Sequence, residues 1–205
     1  MMDEGYIKFN CEWQAGPALA ENEIKQLNSW RAKLHHMNLI GVYPGGIGFG
    51  NISQRVGTTN EFLISGTQTG GLTHLSGEHY TKVIRGDFDK NLIVCEGPIK
   101  ASSESLTHLA VYEASSDINA VLHVHHHVFW KRLIGQVPAT NEKIAYGTPE
   151  MAREVQRLFR EEALGKRKIF VMAGHEDGVV VVGGDLNEAG TTLMKVYSQL
   201  HNSTD

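Results

Sequence analysis

Residues 121–130 read VLHVHHHVFW and overlap an apolar run from Ile118 to Val124. A short apolar run of this kind reads as a buried strand. Side chains on a strand alternate between faces, so His123 and His125 point the same way, with Cα atoms roughly 6.5–7 Å apart. At that spacing two imidazole nitrogens can converge on one metal ion at about 2.0–2.1 Å each. His126 faces the other way. His127 shares the face of the pair and could replace a neighbour as ligand. A histidine at a strand end is more often a hydrogen-bonded surface or core residue, so a third ligand elsewhere has to decide between the two readings.

Working outward, Ala18 to Asn38 places Leu19, Ile24, Leu27, Trp30, Leu34 and Met37 at spacings near three and four, the stripe of an amphipathic helix, with Gly41 as its expected C-terminal cap. The glycine-rich stretch YPGGIGFGNISQR (43–55) cannot be helix or regular strand interior. It is either a plain hairpin turn or a turn whose backbone N–H groups approach a phosphate or carboxylate. EFLIS (61–65) is a short strand, followed by a second permissive turn, GTQTGG (66–71), and a loop carrying His74 and His79. These two read as solvated loop residues, with a role as extra ligand left open. NLIVCE (91–96) is the next strand. Ser102, Ser103 and Glu104 precede a helix running to about Ala114. A serine there is a natural N-cap, and hydroxyls and free N–H groups at a helix start also suit an anion.

Beyond the histidine strand, Phe129 to Ile134 continues as a short helix. Thr148 and Pro149 open another, with Met151, Val155, Leu158 and Phe159 inward and Gly165 as its end. KIFVMA (168–173) and GVVVV (178–182) form a hairpin with Asp177-Gly178 as turn and His175 beside it. Asp185 with Glu188 caps a last helix whose buried face includes Leu186, Ala189, Leu193, Val196, Tyr197 and Leu200, and the tail HNSTD is expected to fray. Strands in the middle and end, surrounded by amphipathic helices, predict a three-layer α/β/α fold with a central mixed, largely antiparallel sheet. At 205 residues the chain suits one domain, 1–205.

The formal charge of −4 is spread without a basic block, which argues against nucleic-acid and membrane-surface binding. No apolar run approaches the ~20 residues that span a bilayer, and the N-terminus lacks an apolar signal region. Cys11 and Cys95 are far apart in sequence and sit in no metal or redox spacing. A cytoplasmic protein with inert thiols is expected.

GFGNISQR, the TG of GTQTG, ASSE, VLHVH and AGHEDGVVVVG occur in the order and approximate spacing of the class II aldolase/adducin family, typified by the fuculose-phosphate aldolases, and from about residue 20 to 198 the chain resembles that family. The resemblance implies that His123, His125 and His175 are metal ligands. It implies that Glu104 is both a ligand in the resting enzyme and the acid/base in turnover. Asn51, Thr69, Gly70, Ser102 and Ser103 match the positions that hold a substrate phosphate. The family's usual assembly is a tetramer with sites between subunits, so a homotetramer is expected.

The implied activity is a metal-dependent lyase, with Zn²⁺ or alternatively Mn²⁺ or another divalent ion. It would cleave a small sugar phosphate or related hydroxy-carbonyl compound through a metal-stabilised enediolate. The same site in relatives supports epimerisation or dehydration, and in the adducins a related domain is a non-enzymatic interaction module. Retention of the three histidines and Glu104 disfavours the module. The loop after Thr69-Gly70, GLTHLSGEHY, departs from the family pattern. The tyrosine that aldolases present before the helix at 148 has no close match: Lys143 falls at its register and Tyr146 three residues on. Tyr146 is carried as a candidate proton donor, or else a packed loop aromatic.

Overall fold

The computed structural model describes residues 5–202. The order is β1 (Asn10–Ala15), α1 (Glu21–His36), β2 (Gly41–Val42), β3 (Gly48–Phe49), β4 (Asn51–Arg55), β5 (Phe62–Ser65), β6 (Tyr80–Asp87), β7 (Leu92–Gly97), α2 (Ser105–Ala114), β8 (Ala120–His125), α3 (His127–Leu133), α4 (Pro149–Glu161), α5 (Leu164–Arg167), β9 (Ile169–Val171), β10 (Gly178–Gly183) and α6 (Leu186–Asn202). Eight strands form one sheet in the order β1-β7-β6-β5-β4-β8-β10-β9. β1 runs parallel to β7, and the other neighbours pair antiparallel, giving the mixed, largely antiparallel sheet expected.

Helices cover both faces, which explains why β10 is a run of valines rather than an alternation: every residue of it is buried. On one face α2 and α4 bring Leu106, Leu109, Met151 and Val155 against Phe62, Val121 and Val180. On the other, α1, α3 and α6 bring Ile24, Leu27, Phe129 and Leu193 against Ile52, Leu122 and Val179. Three layers result. β8 lies between β4 and β10, so all six of its side chains are buried.

Several boundaries differ from expectation, for local reasons. α1 ends at His36, two residues before the expected Asn38, and Gly41 is not its cap, because Asn38 already takes the left-handed conformation at φ 55° and leaves Leu39 and Ile40 free to enter the core. Gly41 is a strand residue. The cap of α2 is Glu104, with Ser102 just outside the helix, its Oγ accepting from the Glu104 N–H at 3.3 Å. α4 ends before Glu162, and Gly165 lies inside α5. The stretch 43–55, expected to exclude regular strand, contains it: past the glycines, Asn51–Arg55 is an inner strand of the large sheet, and Gly48–Phe49 pairs with Gly41–Val42 across the turn. Two further strands had no expectation. β1 is an edge strand with five of its six residues exposed, so it carries no apolar alternation. In β6 a register shift between Val83 and Arg85 breaks the alternation. α6 begins as expected: Glu188 N–H donates to Asp185 Oδ1 at 2.8 Å, while its carboxylate accepts from Gly184 N–H. It runs to Asn202, and the rest of the tail, 203–205, lies outside the described residues.

The two cysteines, distant in sequence, are neighbours in space: Sγ of Cys11 on β1 and Sγ of Cys95 on β7 are 3.9 Å apart as free thiols.

Candidate metal centre

Antiparallel register builds this site from three neighbouring strands. Asn51 of β4 stands opposite His123, and Gly178 of β10 stands opposite His125. His123 and His125 share the α2/α4 face with Val121, as strand alternation requires. Between β9 and β10 the chain reverses in a tight turn, in which His175 N–H donates to Met172 O and its carbonyl accepts from Gly178 N–H. That turn folds His175 back over β8. A side chain at Gly178 would begin 3.2 Å from both His123 Cε1 and His175 Nδ1, so the glycine makes room for the rings.

One nitrogen from each of His123, His125 and His175 lies within 4.8 Å of the others, and the rings are 1%, 3% and 5% exposed. The Nε2 atoms of His123 and His125 are 2.9 Å apart. Burial, and after it the neighbouring His175, holds both imidazoles of the pair well below the usual histidine range. They are therefore neutral near pH 7, the form in which a histidine ligates. Three buried imidazoles fit a divalent metal ion and leave coordination positions for oxygen ligands.

Glu104 reaches the cluster from the start of α2. Its Oε1 is 3.4 Å from His175 Nδ1, and its Oε2 accepts a hydrogen bond from Thr107 Oγ1 at 3.0 Å. The helix dipole favours the charged carboxylate there.

Asn51, Thr69, Gly70, Ser102 and Ser103 line one narrow, almost wholly polar pocket together with Glu104. Asn51 Oδ1 is buried without a hydrogen-bond partner among the described residues. Gly50, at φ 74°, takes a conformation that suits glycine, and a Cβ there would crowd Ile40 and the His123 carbonyl. A larger open groove of about 840 Å³ lies between the end of α2 and α4–α5. It is lined by charges of both signs and touches none of these residues.

The remaining histidines are placed elsewhere. His126 caps α3, its Nδ1 accepting from Phe129 N–H at 3.2 Å. His127 does not share the strand face as expected, because β8 ends at His125 and α3 begins with His127; its Nδ1 lies 2.8 Å from Asp177 Oδ1 at the surface. His74 is exposed, and His79 Nδ1 accepts from Ser76 N–H. Tyr146, the candidate proton donor, is 5% exposed and stacks on His175 with ring centroids 4.4 Å apart, while Lys143 is exposed.

One neighbour of the cluster had no expectation. Tyr43, in the β2–β3 hairpin, places its hydroxyl 2.8 Å from His125 Nδ1, and Phe49 of the same hairpin stacks on the His125 ring. An aromatic inside a glycine-rich turn is the only signal for it in the sequence.

A family model described as the class II aldolase and adducin N-terminal domain matches residues 45–198. Among solved structures, an L-fuculose-1-phosphate aldolase from Thermus thermophilus is similar with a TM-score of 0.60 and 22% identity, covering 91% of this chain and 98% of that one. YgbL of Escherichia coli, described as a putative aldolase/epimerase/decarboxylase, gives 0.65 and 18%, covering 88% and 87%. A sugar-phosphate aldolase from Thermotoga maritima gives 0.64 and 15%, covering 88% and 93%. At these identities the likeness bears on the fold. Curated protein sequences give no significant match.

Proposed function

The chain belongs to the class II aldolase and adducin N-terminal domain family, and on that premise we propose that it is a divalent-metal-dependent lyase that cleaves a small phosphorylated sugar or related hydroxy-carbonyl compound. The observation that carries this reading is the convergence of His123, His125 and His175, with Glu104 3.4 Å from the third histidine, beside a polar pocket. Zn²⁺ is the ion best suited to three imidazoles. Bound there, it would supply Lewis-acid polarisation of substrate oxygens.

The chain's own residues have separable tasks. His123, His125 and His175 hold the ion. Glu104, steadied through Oε2 by Thr107, offers Oε1 as the base or acid that moves a proton at the reacting carbon. Asn51, Thr69, Gly70, Ser102 and Ser103 anchor a phosphate at the far end of the substrate, which orients the reacting carbons. Tyr146 packs flat on His175 and steadies that ligand. Exposed Val42, Leu72 and Val128 suit a chain whose neighbours cover them in the tetramer expected of the family, and the pair of free thiols suits a reducing cytoplasm.

Epimerisation at the same residues is the second reading, because a neighbour in fold is described as a putative aldolase/epimerase/decarboxylase, and dehydration, the other reaction expected of such a site, is followed beside it. One experiment separates them: metal-loaded protein incubated with a panel of phosphorylated and unphosphorylated ketoses, following aldehyde release, epimer formation and dehydration together. Aldehyde from a phosphorylated ketose, lost on chelation, is expected. Glu104→Gln should keep the metal and lose turnover by at least about a hundredfold. Epimer or dehydrated product without aldehyde would move the assignment to the second reading, and a variant as active as the native chain would remove Glu104 from the chemistry.

A further inference from the structure

Arg31 occupies a core position. Ile24, Leu27, Arg31 and Leu34 are the buried stripe of α1, and the guanidinium is only 2% exposed. Its donors go to backbone carbonyls of one loop: Nη2 to Thr69 O at 2.9 Å and Gly70 O at 2.8 Å, Nη1 to Thr73 O at 3.3 Å and to Leu72 O. No carboxylate lies within ion-pair distance of it among the described residues. Carbonyls satisfy its hydrogens, but they do not neutralise a guanidinium, which stays charged under all ordinary conditions.

The chain's other buried arginine differs. Arg55 also bonds to carbonyls, but two of them, Tyr112 O and Ser115 O, belong to the end of α2, where the helix dipole is negative. No helix ends at the carbonyls under Arg31: the short 3-10 turn of that loop, Gly77–His79, begins only after them. A buried cation without a counter-charge is costly, and it lowers in turn the cost of placing an anion close by.

The clamp also aims the loop. A trans peptide points its N–H opposite to its C=O. Holding the Thr69 and Gly70 carbonyls toward α1 turns the following amides, of Gly70 and Gly71, away from it, and Thr69 and Gly70 also line the polar pocket. Gly70 admits no side chain, since a Cβ would collide with the Gly41 carbonyl.

We propose that Arg31 is a positioning residue that makes this pocket select a dianionic phosphate, supplying fixed positive charge from behind the loop while orienting the loop amides toward the ligand. The inference rests on the phosphorylated-substrate reading above and extends it: the charge that discriminates a phosphate ester from a neutral hydroxyl lies beneath the pocket wall, out of contact with the ligand.

The test uses the full chain, with inorganic phosphate as probe and titration calorimetry as readout. Native protein should bind phosphate more tightly at pH 8 than at pH 6, as the dianion replaces the monoanion. Arg31→Gln, which keeps amide donors and loses the charge, should weaken binding by about tenfold or more and flatten that pH preference, while Arg31→Lys should recover most of both. Unfolding midpoints and Zn²⁺ stoichiometry should match the native chain. Undiminished phosphate affinity in Arg31→Gln, or an equal loss in Arg31→Lys, would overturn the charge role. Should the variants not fold, native protein that ignores phosphate, or binds it equally at both pH values, overturns it too. Zn²⁺ binding in the same samples tests the metal-dependent reading separately, because the three histidines do not involve Arg31.

Discussion

His125 holds its ring between two partners, Tyr43 Oη at 2.8 Å from Nδ1 and His123 Nε2 at 2.9 Å from its own Nε2. A neutral imidazole carries one proton. If Nε2 is to ligate, that proton must sit on Nδ1 and the Tyr43 oxygen must accept it; a phenol can accept or donate, so it suits both tautomers. Tyr43→Phe keeps the ring that packs on Phe49 and deletes the oxygen alone. Zn²⁺ affinity, measured by competition with a chromophoric chelator, should fall about tenfold with the unfolding midpoint unchanged. Equal affinity would show that Tyr43 only packs. The HxH pair itself was legible from strand alternation. Tyr43 was not, because 82 residues separate it from His125 and only the sheet brings them together.

At the scale of elements, α2 is joined to β4 by a buried polar link. His108 Nδ1 lies 2.6 Å from Ser53 Oγ, which lies 2.6 Å from the Tyr112 hydroxyl. Burial pushes the His108 imidazole down to about 3. The unfolded chain takes up this proton near the ordinary histidine value, and the native chain only near 3. Between those pH values the unfolded state binds more protons, so stability falls as pH falls, by about 1.4 kcal/mol per pH unit for this group. His123 and His125 act in the same direction. Urea titrations from pH 7 to pH 4 should therefore give a shallower slope for His108→Gln than for the native chain; identical slopes would contradict a neutral buried His108. Amphipathic helices and apolar inner strands were readable in sequence because periodicity follows burial. β1 and β6 were not, since an exposed edge and a bulge erase the pattern on which such reading depends. The C-terminal cap of α1 was misplaced at Gly41 because asparagine at position 38 takes the left-handed turn that glycine was expected to supply.

Over the whole molecule, the sheet order sets β4, β8 and β10 side by side, and Asn51 and the three histidines of the candidate centre sit at their ends. The α/β/α layering and the mixed sheet follow from patterns visible along the chain, while the gathering of the glycine turns with Ser102 and Ser103 was what the family resemblance implied. The third histidine does not: His175 follows His125 by 50 residues, and spacing alone could not rank it above His127, His74 or His79. The resemblance to a family singled it out, and the turn between β9 and β10 brings it to the pair. Arg31 was hidden for the opposite reason, since a charged residue on an apolar helix stripe leaves no signal of what lies above it.

The central claim is that three histidines from two distant segments form one metal centre, and equilibrium Zn²⁺ titration of the native chain against His175→Ala tests it most directly. The native chain should bind about one ion per subunit, and His175→Ala should lose most of it while keeping its fold. Native protein that takes up no divalent metal, or a variant that holds as much as the native chain, would contradict the account.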